Sequence, residues 1–288
     1  MRLKPNYREV SSEELISYLL RESGQEDGGA VNPVPILDTL GLTYLSLDFA
    51  RDLPEAITAH GDRPRALMSF PERVIATDVG LYGPRARFST LHEIAHYVLP
   101  EHVEAIVLCT DRDLGPLAEG VREREANAFA AELLFRGLRF AIEANGLPIR
   151  AQTVKELAQK YNASFEATAR RLAERNLRPC MLVVFERPTG DERIDTSLPP
   201  RWVVKYCIPS RAFAIRYFSR AEGSLEGSSM DGLAMQGRDI ADTVTAEQEI
   251  ALTSGDTVVF RAEYFSNGFN IFCLLQPADK RGTHAAPD

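Results

Sequence analysis

Residues 84–100 read PRARFSTLHEIAHYVLP, and the rest of the chain is understood outward from them. Pro84 suits the first turn of a helix, where its missing amide proton is harmless, and Pro100 must end one. Between them His92 and His96 stand one turn apart, so both imidazoles lie on one face and can reach a single cation, with Glu93 between them. With five histidines in 288 residues, chance produces this pattern with a probability on the order of 0.01, so the spacing carries information.

A catalytic zinc normally takes three protein ligands and leaves its fourth position to water, so a third donor must come from elsewhere. A carboxylate on a second helix completes a His2Glu set, and REREANAFAAELL, residues 122–134, is the place to look. Glu119, Glu123, Glu125 and Glu132 compete there. At about 100° per residue, Glu123 falls on the stripe carrying Ala126, Ala130 and Leu134, while Glu125 and Glu132 point to the opposite face. Glu119 is nearly in line, but it sits where the helix dipole favours acidic residues for its own reasons. The expected metal ligands are therefore His92, His96 and Glu123, with Glu93 as the general base and Zn2+, or alternatively Mn2+, as the ion. Asn127, one turn beyond Glu123, either orients a ligand or ties the two helices together.

Upstream, Ser11 and Glu14 form a capping-box pattern ahead of Leu15, Ile16, Leu19 and Leu20, which predicts a helix over residues 12–22. A short helix from Pro35 to Leu40 stops at Gly41, and LTYLSLD then alternates like a strand. ALMSF and RVIAT, flanking Pro71 and Glu72, add two more strands, so a small sheet precedes the motif helix. Downstream, a second helix spans about Glu119–Phe135, and Thr153/Glu156 and Ser164 open a pair of helices over residues 153–176, joined at Asn162. Beyond Arg178 the texture changes to CMLVVFE, RWVVKYCI, FAIRYF, TVVFRAEYF and FNIFCLL, short β-branched and aromatic runs between Pro, Gly and Ser segments. The expectation is an α+β chain: a metal-bearing domain over residues 1–178, a separate strand-rich domain over 179–278, and a flexible tail over 279–288. Ser219–Gly237 reads as a loop.

ARFSTLHEIAH followed by EREANAFAAELL resembles the ImmA/IrrE family of metallopeptidases, whose members carry an R-F-T-L-A-H-E-x-x-H core and a later E-x-x-x-N-x-x-A-A-x-L-L helix. The E-x-x-x-N element falls on Glu123 and Asn127. VKELAQKYNASFEATARRLAE is similar to the helical pair that closes this family's peptidase domain, so the resemblance spans about residues 35–176. Ser89, Thr90 and Leu91 replace the usual Thr, Leu and Ala, and Phe135 and Arg136 replace a frequent Met-Pro. The resemblance implies a zincin-like domain and a narrow endopeptidase that cleaves a helix-turn-helix transcriptional repressor to induce a stress or mobile-element response. It also implies a GAF-like sensor or docking role for the strand-rich domain, as in some relatives.

Composition narrows the alternatives. A net charge of −8, shared evenly across residue 178, gives no basic footprint for gripping phosphate backbones, so direct nucleic-acid binding is not expected. No apolar run suits a signal peptide or a membrane span, and Cys109, Cys180, Cys207 and Cys273 lie far apart without a C-x-x-C pair, which reads as reduced, buried thiols in a cytoplasmic protein. His60, His102 and His284 read as solvated loop residues. Arg170, Arg171 and Tyr161 are unranked candidates for stabilising an oxyanion, and the ALMSF or RVIAT strand is expected to offer an edge to an extended peptide. Two other functions compete with peptide hydrolysis: a DNA-binding regulator using residues 153–176, and a proteolytically silent metal-binding antitoxin or scaffold.

Overall fold

The computed structural model describes residues 10–54, 64–102, 104–115, 118–186, 202–218, 243–251 and 257–278. His60, His284, the Ser219–Gly237 segment and the tail over 279–288 lie outside the described residues. Contacts group the chain into two units, one of Met1–Phe140 with Leu157–Ser164, the other of Ala141–Glu156 with Phe165–Asp288.

In the first unit, helix α1 (Ser12–Glu22) opens on the expected reciprocal cap: the Ser11 amide donates to the Glu14 carboxylate and the Glu14 amide donates to Ser11 Oγ. Its apolar stripe, Leu15, Ile16, Leu19 and Leu20, is buried. Helix α2 (Pro33–Leu40) begins two residues before Pro35, because the Asn32 side chain accepts from the Val34 amide and so sets the first turn earlier. It ends at Gly41, whose φ of 64° is the left-handed conformation a C-terminal cap needs.

Strands β1 (Thr43–Leu47), β2 (Pro64–Ser69), β3 (Val74–Asp78) and β4 (Ile106–Thr110) form one sheet in the order β1-β3-β2-β4, with the one-turn helix α3 (Phe49–Asp52) after β1. β1 runs parallel to β3, whereas β2 is antiparallel to both of its neighbours. ALMSF and RVIAT therefore lie on the two inner strands, hydrogen-bonded on both sides, and the expectation that either offers a free edge is corrected. Among the described residues the edges belong to β1 and to β4, a strand that sequence reading passed over.

Helix α4 (Gly83–Val98) carries the His-Glu-Ile-Ala-His motif and packs against β2, β3 and helix α5 (Val121–Leu134). After α5, Arg136 and Gly137 both adopt positive φ, 57° and 56°, and turn the chain into helix α6 (Leu138–Gly146). Phe135, Phe140 and Tyr161 form a buried aromatic cluster with ring centroids 4.8–5.7 Å apart. The Arg136 guanidinium is itself buried and donates to three carbonyls of the glycine-rich segment after α1: Gly29 at 2.7 Å, Gly28 at 3.2 Å, and Gln25. Arg136→Ala leaves those carbonyls without a donor, and we expect a loss of about 2–3 kcal/mol, read from the midpoint of denaturant unfolding.

In the second unit, strands β5 (Met181–Glu186), β6 (Val203–Pro209), β7 (Val244–Ala251), β8 (Thr257–Ser266) and β9 (Ile271–Pro277) form an antiparallel sheet in the order β6-β5-β9-β8-β7. Counted within the unit, that order is two-one-five-four-three. One face buries Met181, Val183, Phe185, Phe260, Tyr264, Cys273 and Leu275 together with Phe213 and Tyr217. On the unit's own helix α8 (Phe165–Glu174), Phe165 packs against Phe265 and Phe272. Helix α7 (Ala151–Tyr161) precedes α8, and Asn162 between them has a φ of 46°. α7 starts two residues before Thr153, so the Thr153/Glu156 capping box does not form. The cap comes instead from β8, where a Glu263 carboxylate oxygen accepts from the Ala151 amide at 2.9 Å in a buried setting, a long-range contact that no local pattern encodes.

Candidate metal centre

Two helices and one strand supply the donors. The i, i+4 spacing on α4 puts His92 and His96 on one face, with Nε2 atoms 3.0 Å apart and both rings fully buried. Glu123 enters from the first turn of α5 and brings Oε2 to 3.1 Å from His92 Nε2 and 3.3 Å from His96 Nε2. Gly120, immediately before α5, leaves the space this side chain uses: a Cβ there would meet Glu123 Cγ at 3.3 Å. Of the four competing carboxylates, Glu123 alone is in this cluster. Glu119 is exposed and paired with Arg112, and Glu125 is engaged elsewhere.

The three donor atoms fit a metal ion. Ligand atoms about 2.0–2.1 Å from a tetrahedral zinc stand about 3.3 Å from one another, close to the 3.0, 3.1 and 3.3 Å found here. The charges agree. Burial lowers the pKa of His92, favouring the neutral ring that ligates. Burial alone would raise Glu123, but the two imidazoles set against it, His92 and His96, outweigh burial and hold the carboxyl down at about 2.

Glu93 points to the same need from another side. It is fully buried, neither carboxylate oxygen has a hydrogen-bond partner, and burial, with the nearby charges of Glu123 and Asp113, pushes it up to about 8 despite the Cys109 thiol beside it. A buried carboxyl with both oxygens unpartnered is costly and uncommon unless a ligand, water or ion completes it.

The groups behind the cluster fix its orientation. Asn127 Nδ2 donates to the Asp113 and Gly115 carbonyls, so this amide ties α5 to the segment after β4, and its side chain also lies beside His92. His102 is where the structure corrects the sequence reading. It is buried, not solvated, with Nδ1 at 3.1 Å from His96 Nδ1 and Nε2 at 3.0 Å from a Glu125 carboxylate oxygen. A carboxylate only accepts, so His102 Nε2 donates to Glu125; in a neutral ring Nδ1 then accepts from His96 Nδ1–H, leaving the lone pair of His96 Nε2 facing the cluster. Glu101 makes this possible with a φ of 69°, which folds the chain back immediately after Pro100. We expect His102→Leu to weaken metal affinity about 10–100-fold with the three ligands intact, measured by competition with a chromophoric chelator.

The fourth side chain at the cluster is Cys109, fully buried on β4, with Sγ 3.8 Å from His96 Nε2 and 3.9 Å from Glu123 Oε2. All four donor atoms lie within 4.8 Å of one another. A single cysteine without a spaced partner has no sequence signature, and only the placement of β4 beside α4 and α5 exposes it. Of the unranked oxyanion candidates, Tyr161 is buried in the aromatic cluster of α6, while Arg170 and Arg171 both pair with Glu174. No described helix is long and apolar enough to cross a membrane.

Residues 49–173 match the IrrE N-terminal-like domain, a peptidase family. Among solved structures, the chain is similar to a Mycobacterium tuberculosis transcriptional regulator, with a TM-score of 0.55 and 16% identity over 92% of this chain and 75% of that one. At that identity the likeness is one of fold. Comparison with curated proteins gives no match.

Proposed function

Because residues 49–173 match the IrrE N-terminal-like domain, we propose that the chain is a zinc-dependent endopeptidase of narrow specificity whose substrate is a helix-turn-helix transcriptional repressor. The observation that carries the hydrolytic part is Glu93: a fully buried carboxyl with no partner, on the same helix turn as two imidazoles that converge on a third donor. His92, His96 and Glu123 would hold the ion. When bound, the metal supplies Lewis acidity, polarising the scissile carbonyl and lowering the pKa of a water to about 7. Glu93 takes the proton of the attacking water on a carboxylate oxygen and delivers it to the amide nitrogen as the C–N bond breaks. His102 and Asn127 hold the imidazoles in place, and the burial of both histidines keeps bulk water out. An extended substrate segment is best accommodated along β4, the edge strand whose Cys109 reaches the cluster.

The antiparallel sheet of the second unit, with its two-one-five-four-three order, supports a GAF-like sensor as the module that sets when cutting occurs. Incubating the metal-loaded chain with repressors encoded beside its gene tests the whole reading. A single cut, abolished by chelation, is expected; intact repressors together with stoichiometric metal would replace it with the silent binding protein. The second reading, a DNA-binding regulator using residues 153–176, draws on the name of the structural neighbour. Against it, Arg170 and Arg171 are engaged with Glu174 on their own helix.

A further inference from the structure

We propose that Cys109 is the fourth protein donor of the resting metal centre, so that this chain holds its ion in a closed His2GluCys set and opens it only when the thiol leaves. The proposal rests on the metal-binding reading given above and adds to it the state in which the ion is kept. Two independent observations carry it. First, the sulfur stands close to the place of a fourth ligand: for zinc–sulfur and zinc–nitrogen bonds of about 2.3 and 2.05 Å, sulfur and nitrogen stand about 3.6 Å apart, Cys109 Sγ lies 3.8 Å from His96 Nε2 and 3.9 Å from Glu123 Oε2, and all four donor atoms lie within 4.8 Å of one another. Second, the fully buried Glu93 carboxyl, unpartnered on both oxygens, lies beside that same sulfur.

Simple packing accounts for this poorly. β4 turns Val107 and Cys109 inward, and Val107 is an ordinary apolar core residue. Cys109, one step further, meets an imidazole nitrogen and donates its thiol proton to the Glu123 carboxylate, so it faces the donor cluster as a polar group. A thiolate also chooses among ions: with sulfur in the set, zinc is favoured over manganese or magnesium, which prefer oxygen. A catalytic site keeps one position open and a structural site closes all four. A fourth donor on a sheet edge can serve both conditions, since a peptide pairing with β4 acts on the strand that carries the thiol.

Cobalt(II) distinguishes the possibilities without reference to activity. The full-length apoprotein loaded with one equivalent should show the d–d bands of a four-coordinate centre together with an intense near-ultraviolet sulfur-to-cobalt band. Cys109→Ser and Cys109→Ala should each lose the sulfur band while still binding cobalt, and a variant with Cys180, Cys207 and Cys273 all changed to Ser should keep it. Wild-type d–d bands without the sulfur band, or a sulfur band that survives both Cys109 substitutions, overturn the proposal and leave the His2Glu reading standing. Absence of any cobalt uptake by the wild-type chain overturns both.

Discussion

Glu93→Gln should lower peptide-bond hydrolysis by about 10²–10⁴-fold, the usual contribution of a positioned general base, while leaving metal content unchanged. The substitution keeps the shape of the side chain and removes only its ability to take a proton. His92, His96 and Glu123 form their cluster without help from Glu93, whose oxygens have no hydrogen-bond partner, so the ligands have no reason to move. Stability in the absence of metal should hold or rise, because an unpaired carboxyl is a costly group to bury and a neutral amide of the same shape costs less. Turnover with a purified repressor, metal analysis and a denaturant midpoint, all on one preparation, separate this outcome from general damage. Full turnover by the variant would remove Glu93 from the chemistry; unchanged cellular function with lost turnover would favour the silent binding protein.

Periodic features of the site were legible in the sequence and non-periodic ones were not. His92 and His96 announce themselves by spacing, and Glu123 was separable from Glu119, Glu125 and Glu132 because a helix assigns each residue a direction. His102 follows a proline, where no repeat assigns a direction; its aim depends on the positive φ of Glu101. Cys109 sits on β4, whose run IVLCT is as β-branched as its neighbours but is short and lies between charged segments. The same holds for the fold. The capping box at Ser11 and the glycine stop at Gly41 were readable because each is a local bargain among residues a few positions apart. The start of α7 was misplaced because its cap is Glu263, more than a hundred residues away. β7, reading VTAEQEIA, lies at an edge of the sheet among the described residues, and a strand with one polar face carries little apolar signal. Which strands form an edge is a property of the sheet order, and a list of strand-like segments does not contain it.

Glu125 shows how the two kinds of signal combine. Periodicity turned it away from the metal face, and it does stand outside the donor cluster; yet it anchors His102, which in turn orders His96. A carboxylate rejected as a ligand thus becomes part of the support of one. The relay has a consequence for mutagenesis: effects on metal binding are expected to grade from ligand to support to bystander along α5, with no sharp division between functional and silent acids.

Glu123→Ala stands at the top of that gradient. Removing a donor should weaken metal binding by more than the roughly 10–100-fold expected for a supporting residue, because the two imidazoles lose the carboxylate they share. Glu125→Ala should fall within that lower range, and Glu119→Ala, whose side chain is exposed and paired with Arg112, should have no effect. Thermal melting reads this without any substrate. An ion that binds only the folded chain stabilises it by RT ln(1 + [L]/Kd), about 2.7 kcal/mol at a hundredfold excess over Kd. Zinc should therefore raise the Tm of the wild-type chain and of Glu119→Ala equally, raise that of Glu125→Ala less, and raise that of Glu123→Ala least of the four. An equal rise in Glu123→Ala would mean that the ion is held by a different set, and the convergence of α4 and α5 would then be packing alone.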